Sequence, residues 1–230
     1  MAHIDTDDWD QIDTIFLDMD GTLLDLHFDN HFWLEHVPKR YAEARGIPLE
    51  RARKALAEQY QAIEGTLNWY CLDHWSETLG LDIAMLKEEV DHLIQVHPHV
   101  IDFLQRARRI GKRLVLLTNA HQKSLRLKMD KTSLAGYFDA IVSAHDIGLP
   151  KEDVRFWGRL DGIEPFVRER TLFVDDSLSV LRSAKQAGFR WLLLILKPDS
   201  HQPARVSGEF QAVKDFSEII ASMPNVKITY

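Results

Sequence analysis

The sequence predicts an α/β fold: a three-layer core built on a mostly parallel sheet, with an all-helical segment inserted after the first strand. Three observations lead there. From residue 97 onward, apolar runs within RLVLLTN, FDAIVSA, TLFVDDS and RWLLLIL alternate with amphipathic stretches, the rhythm of parallel strands covered on both faces by helices. Between residues 28 and 95, apolar and aromatic residues recur at helical spacing with little strand signal. The apolar runs also end in polar tips, at Asp18, Thr118 and Asp175, where sheets of this class bind ligands.

The first strand is the apolar start of IFLDMDGTLL, from residue 15, and it breaks at Gly21 and Thr22. Side chains alternate in an extended chain, so Asp18 and Asp20 emerge on one side where burial ends. Two carboxylates sharing one mouth are costly unless a cation or a protonation shift compensates them. Gly21 supplies a main-chain shape that residues with side chains resist. A helix then starts near Asp29 or Asn30 and carries Phe32, Trp33 and Val37, until Pro38 bends it, ends it or begins another. Gly46 stops this stretch. Pro48 opens LERARKALAEQYQAI, with Leu49, Ala52, Leu56 and Ile63 on its apolar side, closing near Gly65. Further helices are predicted over 68–79 and 83–94.

Downstream, VIDFLQRARRIG reads as a helix, RLVLLTN as a strand, SLRLKMDKTSL as a helix and FDAIVSA as a strand. A helix follows Lys151, TLFVDDS repeats the pattern of buried strand and polar tip, SVLRSAKQAG is a helix, and RWLLLIL is the last strong strand. The segment KPDSHQPARVSGEF reads as a surface loop before a final helix over 216–221.

With 230 residues, 45% of them hydrophobic and 27% charged, the chain can bury a large core. Its net charge of −7 argues against a partner such as a nucleic-acid polymer, whose phosphates need many cations. Cys71 is the only cysteine, which leaves no intramolecular disulfide and no thiolate metal cluster, and it reads as a small buried apolar residue. No stretch reaches the ~20 apolar residues that span a bilayer, and MAHIDTDDWD lacks an apolar signal core, so no membrane partner and a cytoplasmic location are expected.

DMDGT at 18–22, TN at 118–119, Lys151 and DDS at 175–177, in this order at strand tips, resemble the four motifs of the haloacid dehalogenase-like superfamily over nearly the whole chain. The helical segment resembles the cap that one branch carries after its first motif. It divides the chain into a catalytic core, residues 1–26 and 97–230, and a substrate-selecting cap, residues 27–96. The resemblance implies a Rossmann-like core, magnesium and an aspartyl-phosphate intermediate. On it, Asp18 is the nucleophile and Asp20 the acid that protonates the leaving oxygen and then takes a proton from water. Magnesium falls to Asp18, the main-chain carbonyl of Asp20, and Asp176, with Asp175 direct or through water. Thr118, Asn119, Lys151 and Met19 fall to the phosphate, Thr118 and Lys151 as catalytic groups too. Pro150 precedes the lysine, whereas many members carry proline after it. Taken singly, Thr118, Asp175 and Asp176 could be helix caps and Lys151 a solvated surface residue. The carbon–halogen branch needs no proton for a leaving alkoxide and typically lacks the second acid, so Asp20 favours phosphate chemistry.

The stretches TLNWYCLDHWSE, FDNHFW and TNAH resemble the bacterial GMP/IMP 5'-nucleotidase group within that superfamily. An aromatic plane over the mouth could stack on a nucleobase, or the rings could knit the cap together. Asn68, Trp69, Tyr70, Asp73 and His121 are candidates for base and ribose contacts, and Lys123 or Arg126 for extra phosphate charge. The expected partner is a small phosphorylated molecule, a purine nucleotide on this resemblance, and the chain is expected to be a monomer or homodimer. The competing readings are a sugar-phosphate phosphatase, a phosphomutase, and a non-catalytic ligand-binding protein that keeps the fold.

Overall fold

The protein, seen in a computed structural model, is described over residues 4–224. Its strands are β1 (Thr14–Leu17), β2 (Arg113–Thr118), β3 (Ala140–Ser143), β4 (Thr171–Asp175), β5 (Trp191–Ile195) and β6 (Gln211–Val213). They form one sheet in the order β3-β2-β1-β4-β5-β6, with every pairing parallel. The chain runs outward from β1 to β3, then crosses back to β4 on the other side, so the direction of winding reverses between β1 and β4. Such a reversal opens a crevice beyond the strand ends.

The central strands read as unbroken apolar runs because both faces are covered. Ile15, Leu17, Leu116 and Val174 enter one core, and Phe16, Val115, Leu117 and Phe173 the other.

The insertion follows β1 and is helical: α1 (His27–His31), α2 (Val37–Arg45), α3 (Leu49–Ile63), α4 (Leu67–Tyr70), α5 (Leu72–Leu79) and α6 (Ile83–Glu89). The two connections that tie it to the sheet run side by side, Asp25 N–H donating to Gln95 O and His97 N–H to Leu23 O, both at 2.9 Å. On the sheet, α7 (Val100–Arg109), α8 (Gln122–Thr132) and α12 (Phe216–Ser222) pack into the first core. On the opposite face, α9 (Ala144–Ile147), α10 (Arg155–Leu160) and α11 (Leu178–Gln186) pack into the second.

Local details refine the expectations. Pro38 lies in the first turn of α2, after a π turn, Phe32–His36, that joins α1 to α2 and in which Val37 N–H donates to Phe32 O five residues back. The wider turn admits a proline that has no N–H and whose ring crowds an α-helical carbonyl. The helix expected over 68–79 is broken at Cys71, which is extended with φ −84 and ψ 111 and caps α5. Cys71 is accordingly half-buried and not a core residue. The helix expected over 83–94 stops at Glu89, and a 3-10 turn follows over Asp91–Leu93. Finally, β6 is a strand that the sequence does not announce, because three residues are too few to show a period. Among the described residues, no helix is long and apolar enough to cross a membrane.

Candidate active site

Parallel registry builds the site. Leu17 pairs with Leu116 on one side and with Val174 on the other, so one step further along the chain Asp18 emerges between the ends of β2 and β4. Its N–H still donates to Val174 O at 3.0 Å, which holds it in line with the strand. Asp18 is buried, and Asp175 beside it is fully so. Lys151 reaches both from the turn after α9: its Nζ lies 2.6 Å from Asp18 Oδ1 and 2.7 Å from Asp175 Oδ2. A third bond, to Leu117 O at 3.1 Å, completes the ammonium's donors. The lysine is thus the opposite of a solvated surface residue.

Asn119 explains how Lys151 is positioned. Its Oδ1 accepts the Lys151 N–H at 2.9 Å while its Nδ2 donates to Glu152 Oε2 at 2.9 Å. Thr118 is buried at the tip of β2, and its Oγ1 accepts the Ala120 N–H at 3.0 Å, shaping the loop that leads to α8. The Met19 side chain is fully buried in the core, so only its main chain can face the site. Gly21 adopts φ +86, and a Cβ there would sit 2.7 Å from Asp176 Oδ2.

Carboxylate oxygens of Asp18, Asp175 and Asp176 gather within 4.8 Å of one another. Burial, opposed by Lys151 and reinforced by Asp175 and Asp20, pushes the Asp18 carboxyl up to about 7. Burial and the charge of Asp18 push Asp176 up to about 7 against Arg205, and burial raises Asp175 to about 6 against Lys151. Asp18 Oδ2 is buried without a hydrogen-bond partner. A hard, oxygen-seeking dication fits this set: it would satisfy the orphaned oxygen and bring all three carboxyls back to the ionised form.

Asp20 sits on a second charge network that joins the sheet to the insertion. Lys128 Nζ, from α8, lies 2.6 Å from Asp20 Oδ1 and 2.6 Å from Asp29 Oδ2, while Lys87 Nζ, from α6, lies 2.6 Å from Asp29 Oδ1. Burial would raise Asp29, but Lys128 and Lys87 outweigh it and hold the carboxyl at about 2. For Asp20 burial wins over Lys128, with Asp29 adding negative charge, and its affinity for a proton rises.

Above these groups lies a cavity of about 580 Å³, within the usual range for small-molecule sites. Asp18, Asp20, Lys87 and Lys151 line it together with Trp33, Tyr60 and Trp69 of the insertion, and Lys87 Nζ lies 5.8 Å from the Trp33 ring centroid. The three rings also pack edge to face, Trp33–Tyr60 and Tyr60–Trp69 both at 5.7 Å, so lining and knitting are done by the same side chains. Trp75, by contrast, is buried in the insertion's own core. Tyr70 joins insertion to sheet, donating to Glu152 Oε1 at 2.6 Å.

Of the other expected substrate contacts, His121 lines the cavity. Asn68 is exposed and does not. Asp73 and Lys123 are not among the lining residues and pair with each other at 2.5 Å, each about half exposed. Lys123 and Arg126, the candidates for extra phosphate charge, lie on the exposed side of α8. The buried side carries Ser124, Leu125, Lys128 and Met129, and Lys128 follows Ser124 by one helical turn. A lysine inside that apolar stripe was the available signal. Arg205 and Asp199 were hidden in a segment that reads as plain loop. Arg205 Nη1 lies 3.0 Å from Asp176 Oδ2, and buried Asp199 accepts from Asn30 Nδ2 at 2.6 Å.

Residues 12–188 match the model of the haloacid dehalogenase-like hydrolases. GMP/IMP nucleotidase YrfG of Escherichia coli is 40% identical over 215 residues, 94% of this chain and 97% of that protein. Phosphoglycolate phosphatase 1 of Pseudomonas aeruginosa is 34% identical over 101 residues, 43% of this chain and 36% of that one. Among solved structures, a HAD phosphatase from Thermococcus onnurineus superposes with a TM-score of 0.74 at 23% identity, covering 92% of this chain and 99% of that one. With its parallel sheet, its helical insertion after β1 and its acid cluster at the strand ends, the chain belongs to the haloacid dehalogenase-like hydrolase family.

Proposed function

We propose that this chain is a magnesium-dependent phosphatase that hydrolyses purine nucleoside 5'-monophosphates, GMP and IMP, through an aspartyl-phosphate. The observation that carries the reading is Asp18: a carboxylate with one oxygen held by Lys151 and the other unpartnered, in a cavity that aromatic rings of the insertion also line. The E. coli relative, similar over nearly its full length, is named for the same substrates.

In this mechanism Asp18 attacks the phosphorus, and the bond from phosphorus to the ribose oxygen breaks. Asp20, protonated at the start, gives its proton to that oxygen. Lys128 engages Asp20 Oδ1, so the proton resides on Oδ2. Water then attacks the aspartyl-phosphate while Asp20 takes a proton from it, and inorganic phosphate leaves. Lys151 holds Asp18 in place and offsets charge on the transferring group. Main-chain N–H groups after Thr118 receive phosphate oxygens, and Asn119 keeps Lys151 in register. Magnesium would be held by Asp18, Asp176, the main-chain carbonyl of Asp20 and Asp175, and when bound it offsets the repulsion between phosphate and carboxylates. The insertion, residues 27–96, acts as a cap whose Trp33, Tyr60 and Trp69 receive the base, since every base offers a π face.

Phosphate release from a panel of GMP, IMP, AMP and sugar phosphates, with magnesium present, tests the proposal. The purine ribonucleotides GMP and IMP should lead the panel. Asp18→Asn should fold normally and release no phosphate; turnover surviving in that variant would remove Asp18 as the nucleophile.

A further inference from the structure

Away from the reacting carboxylates, three softer donors meet where the insertion touches the sheet. Cys71 sits at the break between α4 and α5, His121 caps α8, and His145 lies in α9. A donor atom of each lies within 4.8 Å of the other two. The two imidazoles stand edge to face with centroids 4.9 Å apart. His121 Nδ1 accepts the Lys123 N–H at 3.4 Å, so in this tautomer Nε2 carries the ring proton, 3.7 Å from the Asp73 carboxylate; ligation through Nε2 moves that proton to Nδ1 and gives up this long bond. His145 Nε2 is buried with no hydrogen-bond partner. A buried polar atom left unpaired is rare and calls for an explanation. Burial, with His121 alongside, holds His145 near 4 and hence neutral, its lone pair available. Cys71 Sγ accepts the His74 N–H at 3.4 Å.

We propose that Cys71, His121 and His145 form a second metal site, for a borderline transition-metal ion of the zinc class, with Asp73 placed to supply the fourth ligand. The ligand chemistry separates it from the all-oxygen cluster at Asp18: thiolate and imidazole select zinc-like ions, whereas magnesium prefers oxygen. The geometry needs only a small adjustment. Zinc bonds of about 2.3 Å to sulfur and 2.0–2.1 Å to nitrogen put tetrahedral donors about 3.5 Å apart. The present separations close to that by side-chain movement on the order of 1 Å. Asp73 is released from an exposed pair with Lys123, a bond worth little in water. On binding, the Cys71 thiol gives its proton to solvent and its sulfur lone pair to the metal. Because Cys71 belongs to the insertion and both histidines to the sheet side, a bound ion would tie the two together beside the cavity that His121 lines.

Cobalt(II) is the probe, titrated into the full chain under reducing conditions with saturating magnesium to occupy the oxygen site. We expect one cobalt per chain, a thiolate-to-cobalt charge-transfer band, intense tetrahedral ligand-field bands, and displacement of all of these by zinc. Cys71→Ser, at a half-buried position, should lose the charge-transfer band. Loss of a direct ligand in Cys71→Ser or His145→Gln should weaken cobalt binding by more than about tenfold, the least that even outer partners contribute. Zinc should also raise the melting temperature of the parent chain and not that of folded Cys71→Ser. Cobalt binding without a thiolate band, or an unchanged spectrum and affinity in Cys71→Ser, would overturn the site.

Discussion

At the scale of single residues, the active site is held by buried charges whose partners are few. Lys128 is only 1% exposed and neutralises Asp20 and Asp29 at once. Replacing it by Met leaves half-buried Asp20 without this cation and Asp29 with Lys87 alone, a defect that costs on the order of 3 kcal/mol, the lower end for a broken buried pair. Lys128→Met should therefore unfold at lower urea, and its turnover should fall because Asp20 loses the group that orients it. Gly21 is constrained differently. A side chain there meets both an unfavourable φ of +86 and Asp176 Oδ2 at 2.7 Å. Strain on the order of 1–3 kcal/mol follows. Gly21→Ala should need more magnesium for half-maximal activity, read directly from a metal titration of phosphate release.

At the scale of elements, the insertion and the sheet communicate through short, specific bridges. One chain of hydrogen bonds runs from Tyr70 in α4 through Glu152 and Asn119 to the Lys151 main chain. Tyr70→Phe removes its first link while keeping the ring. A hydrogen bond to a charged group contributes about 1.5–3 kcal/mol, so KM should rise roughly tenfold or more while kcat changes less, in steady-state kinetics with GMP. Helix breaks serve the same end. Had residues 68–79 formed one helix, Tyr70 and Cys71 would follow its regular screw; the extended Cys71 lets α4 aim Tyr70 at the sheet while α5 buries Trp75. The π turn before Pro38 likewise keeps α1 and α2 in one path, and α1 carries Asp29 to Lys128.

At the scale of the whole molecule, the acid cluster is a stability liability that a bound dication would relieve. Asp18 and Asp176 are raised to about 7 and Asp175 to about 6, from an ordinary value of 3.8. Between these limits the folded chain without metal holds more protons than the unfolded chain, so its stability falls as pH rises through that window. Lys151, whose affinity for its proton is raised, keeps its charge throughout and does not reverse the trend. On the proposed reading, magnesium would bind the ionised form of the folded state alone and add stability by mass action. Melting temperatures with magnesium and with EDTA should accordingly converge near pH 5 and separate as pH rises to 8. A gap independent of pH would mean that these carboxyls are not the ones that bind the metal.

Asp18, Thr118, Asp175 and Asp176 were legible in the chain because they follow buried runs, and Lys151 because of its place in the order of the motifs. Such runs are recognisable from short-range spacing, and a parallel sheet brings their ends together by registry alone. The helical nature of the insertion was legible for the same local reason. Lys128, Glu152, Arg205 and the meeting of Cys71 with His121 and His145 were not. Asp20 and Lys128 are 108 positions apart, and Asp29 and Lys87 are 58 apart. Which charge neutralises which depends on the face each helix turns inward and on how the insertion lies over the sheet. Local periodicity carries no record of that packing; it exists only once segments distant along the chain exclude water from the same cavity.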